Sequence, residues 1–213
     1  MVNKKTLHKV FIEIQDKVNI NDYLSQQTIR IIREGFKRFL LDNAIHKFEV
    51  GFKQVSNHIH PTAFTDMRGE PLLEIDSGNI GSFEDDSIIS KNYYFDKIFY
   101  DSDLELRNIT KNLKEVVVYT KIPKNTIRIP VAGGASYSPD FAYVIKRKDG
   151  KRQLSLVVET KGKDEKDLSD IEEQKIRHAE MLFQELNKNS NIEVKFETQF
   201  KAEDITEIIR RHL

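Results

Sequence analysis

Apolar residues recur at helical spacing over residues 6–18, where Leu7, Val10, Phe11 and Ile14 share one face. A clearer helix follows. Ser25 fits an N-cap with Leu24 in front as a staple, and Ile29, Ile32, Phe36, Phe39 and Leu40 form a stripe up to about Ala44. Residues 46–60 read as extended, through Phe48, Val50, Phe52 and Val55. The stretch 61–92 carries Pro61, Gly69, Pro71, Gly78 and Gly81 and reads as hairpins and loops.

The pattern sharpens beyond a soft boundary near residue 95. Ser102 to about Leu113 predicts a helix, and Val116-Val117-Val118-Tyr119 a strand. Phe141 to Ile145 and Leu154 to Lys161 are strands on either side of Asp149-Gly150, so 140–161 predicts a β-hairpin. Ser169-x-x-Glu172 is a capping box. It opens a helix with Ile171, Ala179, Leu182, Phe183 and Leu186, of which Ile171, Leu182 and Leu186 are expected to be core. Ile192, Val194 and Phe196 alternate as a strand, and Asp204 opens a last helix with Ile205, Ile208 and Ile209. This order predicts an α/β fold with a mixed sheet and helices on both sides.

Composition narrows the chemistry. The chain has 213 residues, with 34 Lys+Arg against 34 Asp+Glu, so a polybasic DNA coat is excluded as a whole-chain reading. The 13 Phe and 7 Tyr supply a core. There is no cysteine, which excludes disulfides, thiolate metal sites and a Cys nucleophile. No apolar run approaches a membrane span, and the start, Met1-Val2-Asn3-Lys4-Lys5, does not lead into a signal peptide's apolar stretch. A cytoplasmic protein is expected.

The chemistry concentrates in Ser138-Pro139-Asp140 and Glu159-Thr160-Lys161. Pro139 can only open a strand or lie on an edge, so Asp140 begins a strand. A hairpin closing at 149–150 sets opposite each other residues whose numbers sum to about 299. Asp140 then faces about Glu159, and Lys161 shares the face of Glu159. Leu154, Leu156 and Val158 lie on one face of the second strand and Val157 on the other, the signature of a central, buried strand. Charges at its end cost free energy unless they bind something. A divalent cation relieves the repulsion of two carboxylates, and oxygen-only ligands favour Mg²⁺ or Mn²⁺ over zinc. Acid-x-Lys alone is unspecific, since Asp149/Lys151, Asp164/Lys166, Glu173/Lys175 and Glu193/Lys195 match it too. The pair Glu159/Lys161 is distinguished by its strand and by the upstream Pro-Asp. The bland alternative is a surface ion pair of Asp140 or Glu159 with Lys161.

At these residues the chain resembles the PD-(D/E)xK nuclease superfamily, and more narrowly the C-terminal endonuclease domain of the restriction subunit of type III restriction-modification enzymes. The matching text is Tyr100-Asp101-Ser102-Asp103-Leu104-Glu105, Lys121-Ile122-Pro123, Ile129-Pro130, Tyr137 to Ala142 and Val157 to Gly162. The resemblance implies a restriction-endonuclease-like α/β/α core over 96–213, with 1–95 as an N-terminal helical and extended connecting region. It implies Mg²⁺-dependent cleavage of double-stranded DNA, with Mn²⁺ as a substitute. It implies Asp140, Glu159 and Lys161 as catalytic, with Asp140 and Glu159 as metal ligands and Glu105 and the Thr160 carbonyl as additional ones. It further implies a helicase-type NTPase motor in the same polypeptide and a methyltransferase partner. No Gly-x-x-x-x-Gly-Lys-Ser/Thr occurs, so this chain is expected to be the nuclease part only. Glu105 is also the third residue of a capping box that starts at Ser102, which competes with a ligand role.

Other residues read more blandly. Gln174 and Lys175 could approach the site or be solvated helix positions. The tip Lys146–Arg152 carries five positive charges and one negative, and suits solubility better than a phosphate grip. His58 and His60 share a strand face without a third ligand near in sequence, His178 fits a structural histidine, and Gly133-Gly134 fits either a close backbone approach to DNA or only a loop. The rival functions are a repair or junction-cleaving nuclease of the same superfamily, or a non-catalytic DNA-binding or scaffolding module.

Overall fold

The computed structural model describes residues 4–47, 63–124, 126–131, 136–146, 153–189 and 193–213. The chain divides into two units. One comprises Met1–Val50 with Pro130–Ser136, the other Gly51–Ile129 with Tyr137–Leu213. In the first unit α1 spans Lys4–Ile14 and α2 spans Gln26–Lys47. Ser25 caps α2, its Oγ accepting from the Thr28 amide at 3.1 Å. The expected staple is not formed, because Leu24 is 64% exposed. The extended reading of 46–60 falls outside the described residues apart from its first two positions, which end α2.

The second unit contains β1 (Phe83–Asp85), β2 (Ile98–Tyr100), α3 (Asp103–Thr110), β3 (Val116–Lys121), β6 (Phe141–Lys146), β7 (Gln153–Lys161), α4 (Asp170–Asn189), β8 (Val194–Phe200) and α5 (Ile205–Arg210). The two-residue strands β4 (Ile129–Pro130) and β5 (Ser136–Tyr137) fall between β3 and β6. The central sheet has the order β3-β6-β7-β8. Its first two pairings are antiparallel and β7–β8 is parallel, so the sheet is mixed, as the pattern implied. The hairpin register runs from Phe141↔Val158 to Lys146↔Gln153, each pair summing to the expected 299.

Alternation sorts the residues of β6 and β7 into two cores. Phe141, Tyr143, Ile145, Leu156 and Val158 pack with Ile109 of α3 and with Ile205, Ile208 and Ile209 of α5. On the other side Val157 packs with Ala179 and Phe183 of α4, and with Ala142 and Phe196. Helices therefore cover both faces of the sheet, and β7 contributes to each core. A buried reciprocal amide pair ties α3 to β8: Asn108 Nδ2 donates to Gln199 Oε1 at 2.6 Å, and Gln199 Nε2 returns a bond at 3.1 Å.

Two helix readings need correction. The helix from Ser102 stops at Thr110, and Leu113 is buried from the following segment. On α4, Ile171 and Leu186 are 47% and 43% exposed, and Leu182 is only partly buried. The buried stripe is Gln174, His178, Ala179 and Phe183, so the helix turns a partly polar face inward. Phe183→Ala is accordingly expected to cost about 3–5 kcal/mol in urea denaturation and Leu186→Ala less than about 1 kcal/mol.

Asp204 caps α5, accepting from the Thr206 amide at 2.8 Å and from Lys111 Nζ. The Lys111 ammonium, with the Thr206 hydroxyl and amide, holds the Asp204 carboxyl down at about 2. A depressed carboxyl contributes stability that is present above its unfolded value near 3.8 and is lost as pH falls toward 2. Asp204→Asn should therefore lower the thermal midpoint at pH 6 and lower it less at pH 2.

Candidate active site

Asp140 is held by the backbone on both sides. Its amide donates to the Val158 carbonyl at 3.1 Å and its carbonyl accepts from the Ile122 amide at 2.7 Å. It thus extends β6 by one residue between the ends of β3 and β7, directly before Phe141, and Pro139 ahead of it is buried. Continuing the register, Asp140 lies opposite Glu159. On the far side of β7, Glu159 pairs with Thr198 and Lys161 with Phe200. The sequence reading brought Asp140, Glu159 and Lys161 to one end of the hairpin, and the backbone does so.

The side chains form two linked arrangements. Asp140 Oδ2 accepts from the Thr160 amide at 2.7 Å and from Thr160 Oγ1 at 2.6 Å. Lys161 Nζ donates to Glu159 Oε1 at 2.6 Å. Glu159 Oε2 is buried with no hydrogen-bond partner among the described residues. Burial pushes the Asp140 carboxyl above its ordinary range, against the two Thr160 bonds, and the Glu105 charge adds to the rise while Lys161 opposes it. Burial also raises Glu159, to about 7, with repulsion from Asp140 next and attraction to Lys161 and Lys175 offsetting part of the rise. The Tyr137 phenol is buried beside them and is raised by burial and then by Glu159, Glu180 and Asp140. These carboxylates are underpaired in a low-dielectric setting, the condition a cation relieves.

Glu105 is engaged elsewhere. Ser102 Oγ accepts from its amide at 3.3 Å, the N-cap half of the box. Its Oε2 reaches back to the Asp101 amide at 2.7 Å, one residue earlier than a Ser102 box requires, and pairs with Lys121 Nζ at 2.8 Å. Lys121 also binds Asp101 Oδ2 at 2.7 Å. Sequence reasoning quoted Lys121 only as part of a matching block. The available signal was its phase: it stands two residues after buried Tyr119 on β3, at an inward position where an ammonium needs a partner.

The remaining candidates separate cleanly. Gln174 and His178 are buried on α4, where His178 Nδ1 lies 2.8 Å from the Gln174 carbonyl. His178 Nε2 and Gln174 Oε1 have no partner among the described residues. Glu193 is half-buried and Lys195 exposed. His58, His60, Gly133-Gly134 and the tip residues 147–152 lie outside the described residues. Among the described residues no group of three or more His, Asp or Glu could hold a metal ion alone, so Asp140 and Glu159 can supply only part of a coordination shell. No helix among them is long and apolar enough to cross a membrane.

A family model described as an endonuclease domain matches residues 91–203. Over its whole length the chain is 47% identical to the type III restriction-modification enzyme EcoPI Res subunit of Escherichia phage P1. It shows the same 47% identity to the EcoP15I Res subunit of Escherichia coli. The StyLTI Res subunit of Salmonella typhimurium is 32% identical over 67% of the chain and 14% of that protein. The chain spans 22% of the length of the first two relatives. No solved structure matches it.

The hold on Asp140 is open to direct measurement. Thr160→Val removes the hydroxyl donor while keeping the backbone bond and the shape. A loss of about 1–3 kcal/mol is expected in denaturant unfolding of the metal-free chain, the size of a bond to an acid left short of a donor.

Proposed function

The chain belongs to the restriction endonuclease domain family, and we propose that it hydrolyses phosphodiester bonds of double-stranded DNA in a Mg²⁺-dependent reaction, as the nuclease part of a type III restriction enzyme. In this reading residues 96–213 are the nuclease domain and 1–95 a connecting region. A helicase-type NTPase motor in the same polypeptide and a methyltransferase subunit are the partners, and the setting is the cytoplasm. The observation that carries the reading is the convergence of Asp140, Glu159 and Lys161 at the end of a strand buried on both faces, with Glu159 Oε2 left without a donor.

The donor set fits a hard divalent cation. Asp140 and Glu159 offer carboxylate oxygens only, one of them an orphaned buried acceptor, and their mutual repulsion favours a cation between them. The Thr160 carbonyl and Glu105 are additional candidate ligands. Mg²⁺ keeps waters and shares phosphate oxygens, which suits a site with few protein ligands. Bound there, such an ion would supply positive charge to the scissile phosphate and lower the pKa of a water.

The chain's own groups do the rest. Thr160 holds Asp140 in one orientation through two bonds to Oδ2. Lys161, held at 2.6 Å from Glu159, is placed to orient the attacking water and to stabilise the negative charge that develops on the phosphate oxygens. An intact acid–acid–lysine set with strained charge balance favours an enzyme over a vestigial binding module.

Lys161 separates the two. Placed in a cleavage-competent assembly with motor and methyltransferase subunits, Lys161→Ala should bind DNA and Mn²⁺ about as the unmodified protein does. It should cut about 10²–10³ times more slowly, the usual cost of one such electrostatic group. Lys161→Arg should also cut poorly, since a planar fork does not replace a compact ammonium. Cleavage by Lys161→Ala at the unmodified rate with saturating metal would sink the catalytic assignment.

A further inference from the structure

Charge is not spread evenly along the chain. Residues 1–50 carry nine Lys and Arg against six Asp and Glu, and the rest of the chain carries 25 against 28. The other segment of the first unit, Pro130–Ser136, is uncharged. That unit is therefore net positive, and the unit that holds Asp140 and Glu159 is net negative. An acidic site repels phosphate until a cation is bound there, so a basic hold elsewhere on the molecule favours capture of DNA.

The positive charge gathers on α2. Arg30, Arg33 and Lys37 are spaced three and four apart, which at 3.6 residues per turn places them within about 60° of one another, with Gln26 on the same face. All four are exposed, and Ile32, Phe36 and Leu40 form a half-buried side about a third of a turn away. Arg30 and Arg33 line one open groove of about 320 Å³ with Gln26, Ile29 and Glu34. Lys37 Nζ meets Glu34 at 3.3 Å, with both side chains more than half exposed, and Arg30 and Arg33 make no ion pair among the described residues. A helix face that is merely solvated gains from opposite charges at these spacings. Here Arg30 with Arg33, and Arg33 with Lys37, set like charges side by side, and an anionic partner relieves that repulsion.

We propose that the face of α2 formed by Gln26, Arg30, Arg33 and Lys37 grips the phosphate backbone of double-stranded DNA, without regard to base sequence. The inference rests on the DNA-cleaving reading above and deepens it by assigning a surface to the substrate's backbone. Spacing favours DNA over an acidic protein. From Arg30 to Lys37 the helix rises about 10.5 Å, and one strand of B-DNA presents a phosphate about every 3.4 Å along its axis, so three cations meet about three phosphates. The planar fork of each arginine suits paired bonds to phosphate oxygens, and the Gln26 amide adds an uncharged donor.

The test is binding of the full 213-residue chain to a labelled duplex of about 30 base pairs, in EDTA, followed by fluorescence anisotropy between about 50 and 200 mM KCl. Each phosphate contact contributes about 0.9 to the slope of log affinity against log salt. Arg30→Gln/Arg33→Gln/Lys37→Gln should therefore flatten the slope by about 2–3 and weaken binding more than about tenfold near 100 mM KCl. The loss should be equal on duplexes of unrelated sequence. Glutamine is a good helix former at exposed positions, and circular dichroism checks that α2 is kept. Should the triple variant lose helix, Arg33→Gln alone decides, with a slope change of about 1 expected and an unchanged slope overturning the proposal.

An unchanged slope and affinity in the folded triple variant overturns the proposal and leaves an acidic protein surface as the partner of this face. Absence of duplex binding by the unmodified chain at about 50 mM KCl overturns it too. So does a loss seen only in Arg147→Gln/Lys148→Gln/Arg152→Gln, which would put the grip on the basic segment 146–152 instead. Cleavage is a separate readout. Asp140→Asn in the assembled enzyme should not cut, and cutting at the unmodified rate would sink the nuclease reading whatever the salt slope of the α2 variants shows.

Discussion

The antiparallel pairing of β6 with β7 sets where every charged group of the site stands. Because β7 takes part in the cores on both faces of the sheet, it cannot slip by one residue without moving Leu156 and Val158 into the α4 side and Val157 into the other. That locked register carries Glu159 and Lys161 out at the strand's end beside Asp140, where Glu159 is buried and Asp140 and Lys161 are only partly exposed. The ion pair of Lys161 with Glu159 and the two bonds from Thr160 to Asp140 are the local responses to that constraint. They are incomplete, as the orphaned Glu159 oxygen shows. Replacing such groups by apolar ones of the same shape would ease folding, so their persistence in a buried setting points to work done there.

The hairpin was legible because two local signals agreed. Asp149-Gly150 fixed the turn and double-sided apolarity fixed the strand, and together they set the register to the residue. The caps were legible for the same reason. Ser169 and Glu172 form the reciprocal bonds their spacing called for, at 3.4 Å and 3.0 Å. The nuclease reading drew in addition on likeness to a family, since acid-x-Lys spacing by itself is common along the chain.

What escaped depended on contacts distant in sequence. On α4 the apolar spacing points to Ile171, Leu182 and Leu186, whereas the face that meets the sheet carries Gln174 and His178, and Ile171 and Leu186 remain exposed. Periodicity gives the width of an apolar face but not which edge of it the sheet covers. The short ladder between β1 and β2 joins residues 83–85 to 98–100 without a hairpin turn to announce it. The Glu105–Lys121 pair spans 16 positions and joins a helix-cap residue to a lysine that the sequence offers only within a matching block. Glu105 was weighed as cap or ligand, and its third option, a buried ion pair, needed the fold to appear.

Strand β8 closes the sheet on one side, with β7 as its neighbour in the ladder. Such an edge offers backbone groups to any passing strand. Here the outward residues are charged: Lys195 is exposed, and Glu197 is bound by Arg211 at 3.2 Å and His212 at 2.9 Å from the segment after α5. Arg211 and His212 therefore act as a guard rail, tying down the border strand and setting charge in the path of sheet-to-sheet aggregation.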